Sequence, residues 1–248
     1  MRYFHKFLAA LICIALMSPN AFPQKAIITP ENIDSMIVFE RRFVKNENKP
    51  APPDSSSFEF RSGTRKILFV AGHATAQKRE GKTKPADGGT GSLAVELNKL
   101  LNVPVLYTVF LSESDPNFED NNAFKDSLAK IISKLKPIIV IDLHASNTSR
   151  PYDVDFGTMK GISFLKRKDL LAKLKTVMKD EGLINQSQDF FSASKNQTIT
   201  KFVHGRNIPC IQLEINGNWL QPEKGNLNAQ KTAQLLQALF RFVNTTTK

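Results

Sequence analysis

An α/β fold is predicted by three features of the sequence. From Arg65 onward, short apolar β-branched runs alternate with longer amphipathic ones; 41% of positions are hydrophobic, enough for one full-sized core; and no internal repeat breaks the pattern. The runs from Ile67 to Ala71, Val103 to Val109, Ile138 to Leu143 and Cys210 to Ile215 read as buried strands, because they are short, mostly apolar and rich in β-branched residues. Between and after them, residues 91–101, 122–135, 168–180 and 228–243 place apolar side chains at three- and four-residue spacings, as Leu128, Ile131, Ile132 and Leu135 do. These stretches read as helices, and residues 61–248 as a single domain.

Two segments precede that domain. Met1 to Lys6 is a short basic head, Phe7 to Met17 is apolar on every side, and Ala21 follows the helix-breaking Pro19. That order is expected of a secretory signal over residues 1–21, too short for a membrane span, and it implies export to a periplasm or beyond. Ile12 precedes Cys13, where a lipoprotein signal needs a small residue. Residues 22–60 are poor in periodicity, and Lys45 to Ser57, with Pro50, Pro52 and Pro53, has linker composition, so an N-terminal arm and linker are expected there.

Removing residues 1–21 deletes Arg2 and Lys6 and no acid, taking the formal charge from +11 to +9. A basic surface suits an anionic partner: an acidic polymer, an anionic membrane or a small molecule bearing a carboxylate. Nucleic acid fits poorly, since the lysines are dispersed and no basic motif is interleaved with aromatics. Signal removal leaves Cys210 as the only cysteine, which excludes a structural disulfide and a cysteine-based zinc site.

The rare chemical residues fall at strand ends. His73 follows the first strand, His144 ends the third, and Glu214 lies within the last, where a carboxylate needs a partner. In open α/β sheets, ligands bind outside the carboxyl ends of the strands. Asp87 comes just before the first helix and is suited either to capping it or to joining the two imidazoles. Two imidazoles and one carboxylate hold zinc with one position left for water, and a second carboxylate nearby serves as base. Asp142, two residues before His144, either orients that ring or competes as a ligand. His204, in Phe202-Val203-His204-Gly205-Arg206, is a candidate for substrate contact at the rim.

The string Ala71-Gly72-His73-Ala74-Thr75-Ala76-Gln77-Lys78-Arg79-Glu80-Gly81, with Lys84, Asp87 and Gly89-Thr90-Gly91, then Ile141-Asp142-Leu143-His144, Phe156-Gly157-Thr158 and Gln212-Leu213-Glu214-Ile215-Asn216, resembles the N-formylglutamate amidohydrolase family. More remotely, it is similar to the zinc carboxypeptidase, succinylglutamate desuccinylase and phage poly-γ-glutamate hydrolase group. The resemblance covers roughly residues 65 to 243. It implies a three-layer α/β/α sandwich around a mixed central sheet, zinc carboxypeptidase-like, with about one zinc ion per chain at the strand ends. By position it implies His73 and His144 as zinc ligands and Glu214 as catalytic glutamate. Relatives often place a ligating Glu three or four residues after the first histidine, where this chain has Ala76 and Gln77, so the carboxylate ligand is assigned to Asp87, with Glu80 second.

The implied reaction is hydrolysis of an amide in an N-acyl amino acid or peptide bearing a free carboxylate. Arg150, six residues past His144, is the candidate for that carboxylate, because a guanidinium binds one through two parallel hydrogen bonds. Arg79 is placed to polarise the scissile carbonyl, and Asn117, in Ser114-Asp115-Pro116-Asn117-Phe118, to contact substrate. A non-catalytic envelope protein binding an anionic polymer on a degenerate hydrolase fold is the alternative.

Overall fold

The computed structural model describes residues 25–246, so the expected signal segment and Cys13 lie outside the described residues. The strands are β1 (Phe58–Arg61), β2 (Ile67–Ala71), β3 (Gln77–Arg79), β4 (Lys82–Lys84), β5 (Val105–Thr108), β6 (Ile139–Ser146), β7 (Val154–Gly157), β8 (Gln186–Gln188) and β9 (Cys210–Asn216). The helices are α1 (Pro30–Asn46), α2 (Thr90–Leu101), α3 (Ala123–Leu135), α4 (Lys168–Asp180), α5 (Ile199–His204) and α6 (Asn226–Thr246). Seven strands form one sheet in the order β1-β5-β2-β6-β9-β7-β8, and β3 and β4 make a separate hairpin.

The four apolar runs form the parallel centre β5-β2-β6-β9, buried from both sides as such strands must be. Two antiparallel pairings, β1 on β5 and β7 on β9, make the sheet mixed. Alternation along each strand then defines two layers of core. Phe69, Ile141, Leu213 and Ile215 face α2, α4 and α6, while Leu68, Val70, Val140 and Cys210 face α3 and α5. This is the expected three-layer α/β/α arrangement.

The same alternation positions the chemistry. Asp142 and His144 continue the face of Val140, and Gln212 and Glu214 continue the face of Cys210. All four side chains therefore point to the α3/α5 side, beyond the apolar cluster that those helices cover.

The arm expected over residues 22–60 is corrected by the fold. Residues 30–46 are α1, whose Met36 and Phe43 enter the main core, and residues 58–61 are the edge strand β1. Only the Pro-rich stretch between them lacks helix and strand, as its composition dictates. The helix starts where Pro30 takes the first position and Asn32 Oδ1 accepts from Thr29 N at 2.9 Å. Its apolar stripe is hard to see because Glu40 interrupts it between Met36 and Phe43.

Candidate metal centre and active site

His73 stands two residues beyond β2, after Gly72, and its carbonyl accepts the Asp87 N–H at 2.7 Å. That bond folds the loop before α2 back over the strand end. Asp87 gives its own carbonyl to Thr90, at 2.7 Å from Oγ1 and 3.2 Å from N, so the helix start is satisfied by backbone. Its carboxylate is thereby left for the imidazoles. Gly89, at φ +86°, makes the turn possible: a Cβ there would lie 2.3 Å from the Leu220 carbonyl oxygen. From the other side α1 holds the loop, since Glu47 Oε1 accepts from Ala86 N at 3.3 Å and Glu40 Oε1 from Gly89 N at 2.9 Å.

Asp87 Oδ2 lies 2.7 Å from His144 Nδ1 and 3.5 Å from His73 Nδ1. One ligand atom from each of the three residues lies within 4.8 Å of the others. The opposite edge of each ring meets a fully buried carboxylate: His73 Nε2 donates to Asp115 Oδ1 at 2.8 Å, and His144 Nε2 lies 3.4 Å from Asp142 Oδ1. A carboxylate on one ring nitrogen fixes the ring and directs the other nitrogen at a metal. Asp142 lies on the side of His144 away from Asp87, in charge contact with the ring.

Charge makes the same point. The buried carboxylates of Asp115 and Asp142 and the partly buried one of Asp87 surround two imidazoles, and Arg79 is the guanidinium bonded to the group. Burial alone would raise the Asp87 carboxyl, but hydrogen bonds to His144 and His73 hold it well below the usual range. For His73, burial acts downward and the bonds to Asp115 and Asp87 prevail, moving it to about 9. His144 is likewise raised, against its burial, by Asp142 and Asp87. The metal-free site draws in protons as substitutes for a cation. Two imidazoles and a carboxylate with an excess of buried negative charge are a donor set that fits zinc.

Glu214 is the lateral neighbour of His144 in the β6–β9 register and shares its face. Both line a cleft of about 410 Å³ with His73, Arg79 and Asn117. Glu214 Oε1 accepts from Gln212 Nε2 at 2.9 Å, and burial pushes its carboxyl up to about 7. A larger groove of about 510 Å³ between α1 and α6 contains no comparable donor cluster.

The remaining candidates take different places. Arg79, on β3, lines the cleft while its Nε donates to Asp115 Oδ2 at 2.7 Å, and Nη2 donates to the same oxygen. Asn117 lines the cleft too, and its side-chain Oδ1 accepts from Ile199 N at 2.7 Å while its Nδ2 lies 3.0 Å from His144 Nε2. Arg150 is exposed at the rim, its guanidinium 5.0 Å from the Phe191 ring centre and 5.4 Å from that of Phe190. Glu80 is exposed at the tip of the β3–β4 hairpin, outside the donor cluster. His204 ends α5 and is not among the cleft residues, because α5 begins beside Asn117 and runs away from the site.

Asp115 is the residue that sequence reasoning passed over. It also accepts from Asn117 N at 2.7 Å, so one buried carboxylate ties Arg79, His73 and the 115–117 loop together. The segment carrying it was visible, but nothing local says that it meets His73, 42 residues earlier. Asp115→Asn is expected to lower zinc affinity about 10- to 100-fold, read by competition with a chromophoric chelator.

No protein-family model matches the chain, and no curated protein matches it in sequence. Among solved structures, the chain is similar to a gene product of Agrobacterium tumefaciens, with TM-score 0.52, 11% identity, and coverage of 78% of this chain and 97% of that one. It is also similar to N-formylglutamate amidohydrolase from Ralstonia eutropha JMP134, with TM-score 0.50, 10% identity, and coverage of 77% and 99%. The chain therefore shares its fold with an N-formylglutamate amidohydrolase.

Proposed function

We propose that the protein is an exported zinc-dependent amidohydrolase, acting on an N-acyl amino acid or peptide with a free carboxylate. The observation that carries this reading is the convergence of His73, Asp87 and His144 beside a cleft lined by both histidines and by Glu214, which shares the sheet face of His144. The fold the chain shares with the Ralstonia eutropha N-formylglutamate amidohydrolase supports this reading.

In this reading His73, Asp87 and His144 hold the ion. Bound zinc supplies a Lewis acid for the carbonyl and lowers the pKa of water toward ~7. Glu214 takes a proton from the attacking water and passes it to the departing amine, a role suited to a carboxyl raised to about 7. Arg79, which lines the cleft while its Nε and Nη2 bind Asp115, steadies the carbonyl oxygen. Arg150 receives the substrate carboxylate at the rim. Export follows from the reading of residues 1–21 and places the substrate in the cell envelope or beyond.

The test is release of free amine from a panel of N-acetyl amino acids and cell-wall peptides by the purified, zinc-replete protein. Cleavage is expected to stop on chelation and return with zinc. Full zinc occupancy without amine release across the panel would sink the proposal.

A further inference from the structure

The Phe156-Gly157-Thr158 string has no part in the reaction outlined above, yet together with Asp155 it holds one wall of the cleft. Asp155 is fully buried, and its register partner on β9 is Glu214. Its Oδ1 accepts from Phe190 N at 3.1 Å and Ser187 Oγ at 2.7 Å, and its Oδ2 accepts from Phe191 N at 2.9 Å. Thr158 donates from N to Asp189 Oδ1 at 2.6 Å and from Oγ1 to Oδ2 at 2.7 Å. Gly157 lets the same segment close on the strand, since a Cβ there would lie 2.6 Å from the Phe191 carbonyl oxygen. The end of β7 therefore grips residues 187–191 by five hydrogen bonds to side chains and one close approach.

What this grip presents is apolar. Phe190 is 52% exposed although it lines the cleft with Phe191, and the two ring centres are 5.2 Å apart. What sets Phe190 apart from the other exposed apolar side chains is its place in the wall of the cleft that holds His73, His144 and Glu214. Arg150 stacks on both rings, and its turn is pinned by Asn216 Nδ2 donating to the Thr148 carbonyl at 3.2 Å and the Arg150 carbonyl at 3.3 Å. A carboxylate on the edge of that guanidinium brings its own α-carbon, and the side chain on it, beside the rings.

We propose that Phe190 and Phe191 form an apolar subsite that selects N-acyl amino acids with a bulky apolar side chain, with Asp155, Gly157 and Thr158 as positioning residues. This rests on the amidohydrolase reading for its chemistry. Lys195 lines the same cleft, so the competing outcome is an acidic side chain.

The experiment measures binding of N-acetyl-L-phenylalanine and N-acetyl-L-glutamate by calorimetry to the zinc-loaded Glu214→Gln protein, with kcat/KM for both on the unsubstituted enzyme. The phenylalanine compound is expected to bind at least ~10-fold more tightly, the scale on which apolar pockets discriminate. Phe190→Ala with Phe191→Ala should bring the two within ~2-fold, weakening the phenylalanine compound more than the glutamate compound, whose carboxylate meets the same Arg150; Phe190→Ala alone, at a half-exposed ring, should narrow the preference in the same direction. Equal binding, preference for the glutamate compound, or a preference that survives the double substitution would overturn the proposal. Apolar preference in binding without turnover would overturn the hydrolase reading alone.

Discussion

Glu214→Gln is expected to lower kcat by ~10²-fold or more with little change in KM, while making the metal-free protein more stable above pH 7. Both effects have one cause. Burial raises the Glu214 carboxyl from its ordinary 4.5 to about 7, so the folded protein favours the protonated form. As pH rises from 4.5 through 7, folding must hold a charge that the site resists, and stability falls by an amount on the order of 3 kcal/mol. Gln removes that charge and keeps an oxygen for the Gln212 Nε2 bond. The gain over the unsubstituted protein should be absent below pH 4.5 and complete above pH 7, read by denaturant unfolding at several pH values. In the zinc-loaded enzyme the bound cation favours the carboxylate, so the acid limb of kcat/KM should lie below pH 7 and vanish from the residual activity of the variant. A large loss of stability would instead mark Glu214 as a structural partner, although its hydrogen bond runs to an amide rather than to a lysine or arginine.

How far such residues can be read from sequence depends on how local their causes are. The run Ile67 to Ala71 was legible as a strand because burial on both faces demands successive apolar residues. His73 and His144 were legible because a polar residue just past such a run marks its open end. Strand order was not legible, so the register of His144 with Glu214 had to come from the fold. β7 and β8 escaped notice because Val154–Gly157 and Gln186–Gln188 are too short and too polar to show a period. Asn117, expected to touch substrate, lines the cleft, and its side-chain Oδ1 also accepts from Ile199 N, an α5 contact across 82 residues that no local pattern announces. Asp115 was hidden for the same reason, since its partners Arg79 and His73 come from other segments.

Zinc binding to the metal-free protein is expected to release close to two protons per ion at pH 7, with affinity rising up to ~10²-fold per pH unit below about 9. His73 is raised to about 9, its bonds to Asp115 and Asp87 prevailing over burial, and His144 is raised as well. Both rings therefore carry a proton that the ion must displace before their nitrogens can bind it. Calorimetry in buffers of different ionisation heat counts those protons directly. The sign of the accompanying stability change is also determined. A histidine raised in the folded state contributes stability that is full below its ordinary 6.5 and is lost as pH climbs through 9. The metal-free protein should accordingly weaken across that interval, whereas saturating zinc, which binds the deprotonated rings, should stabilise it most there. His73→Ala with His144→Ala should abolish stoichiometric zinc and, with it, the pH-dependent gain. Proton release near zero, or full occupancy in the double variant, would place the ion elsewhere. With the ligands intact, the two measurements tie the buried carboxylates behind the rings to the affinity of the site in front of them.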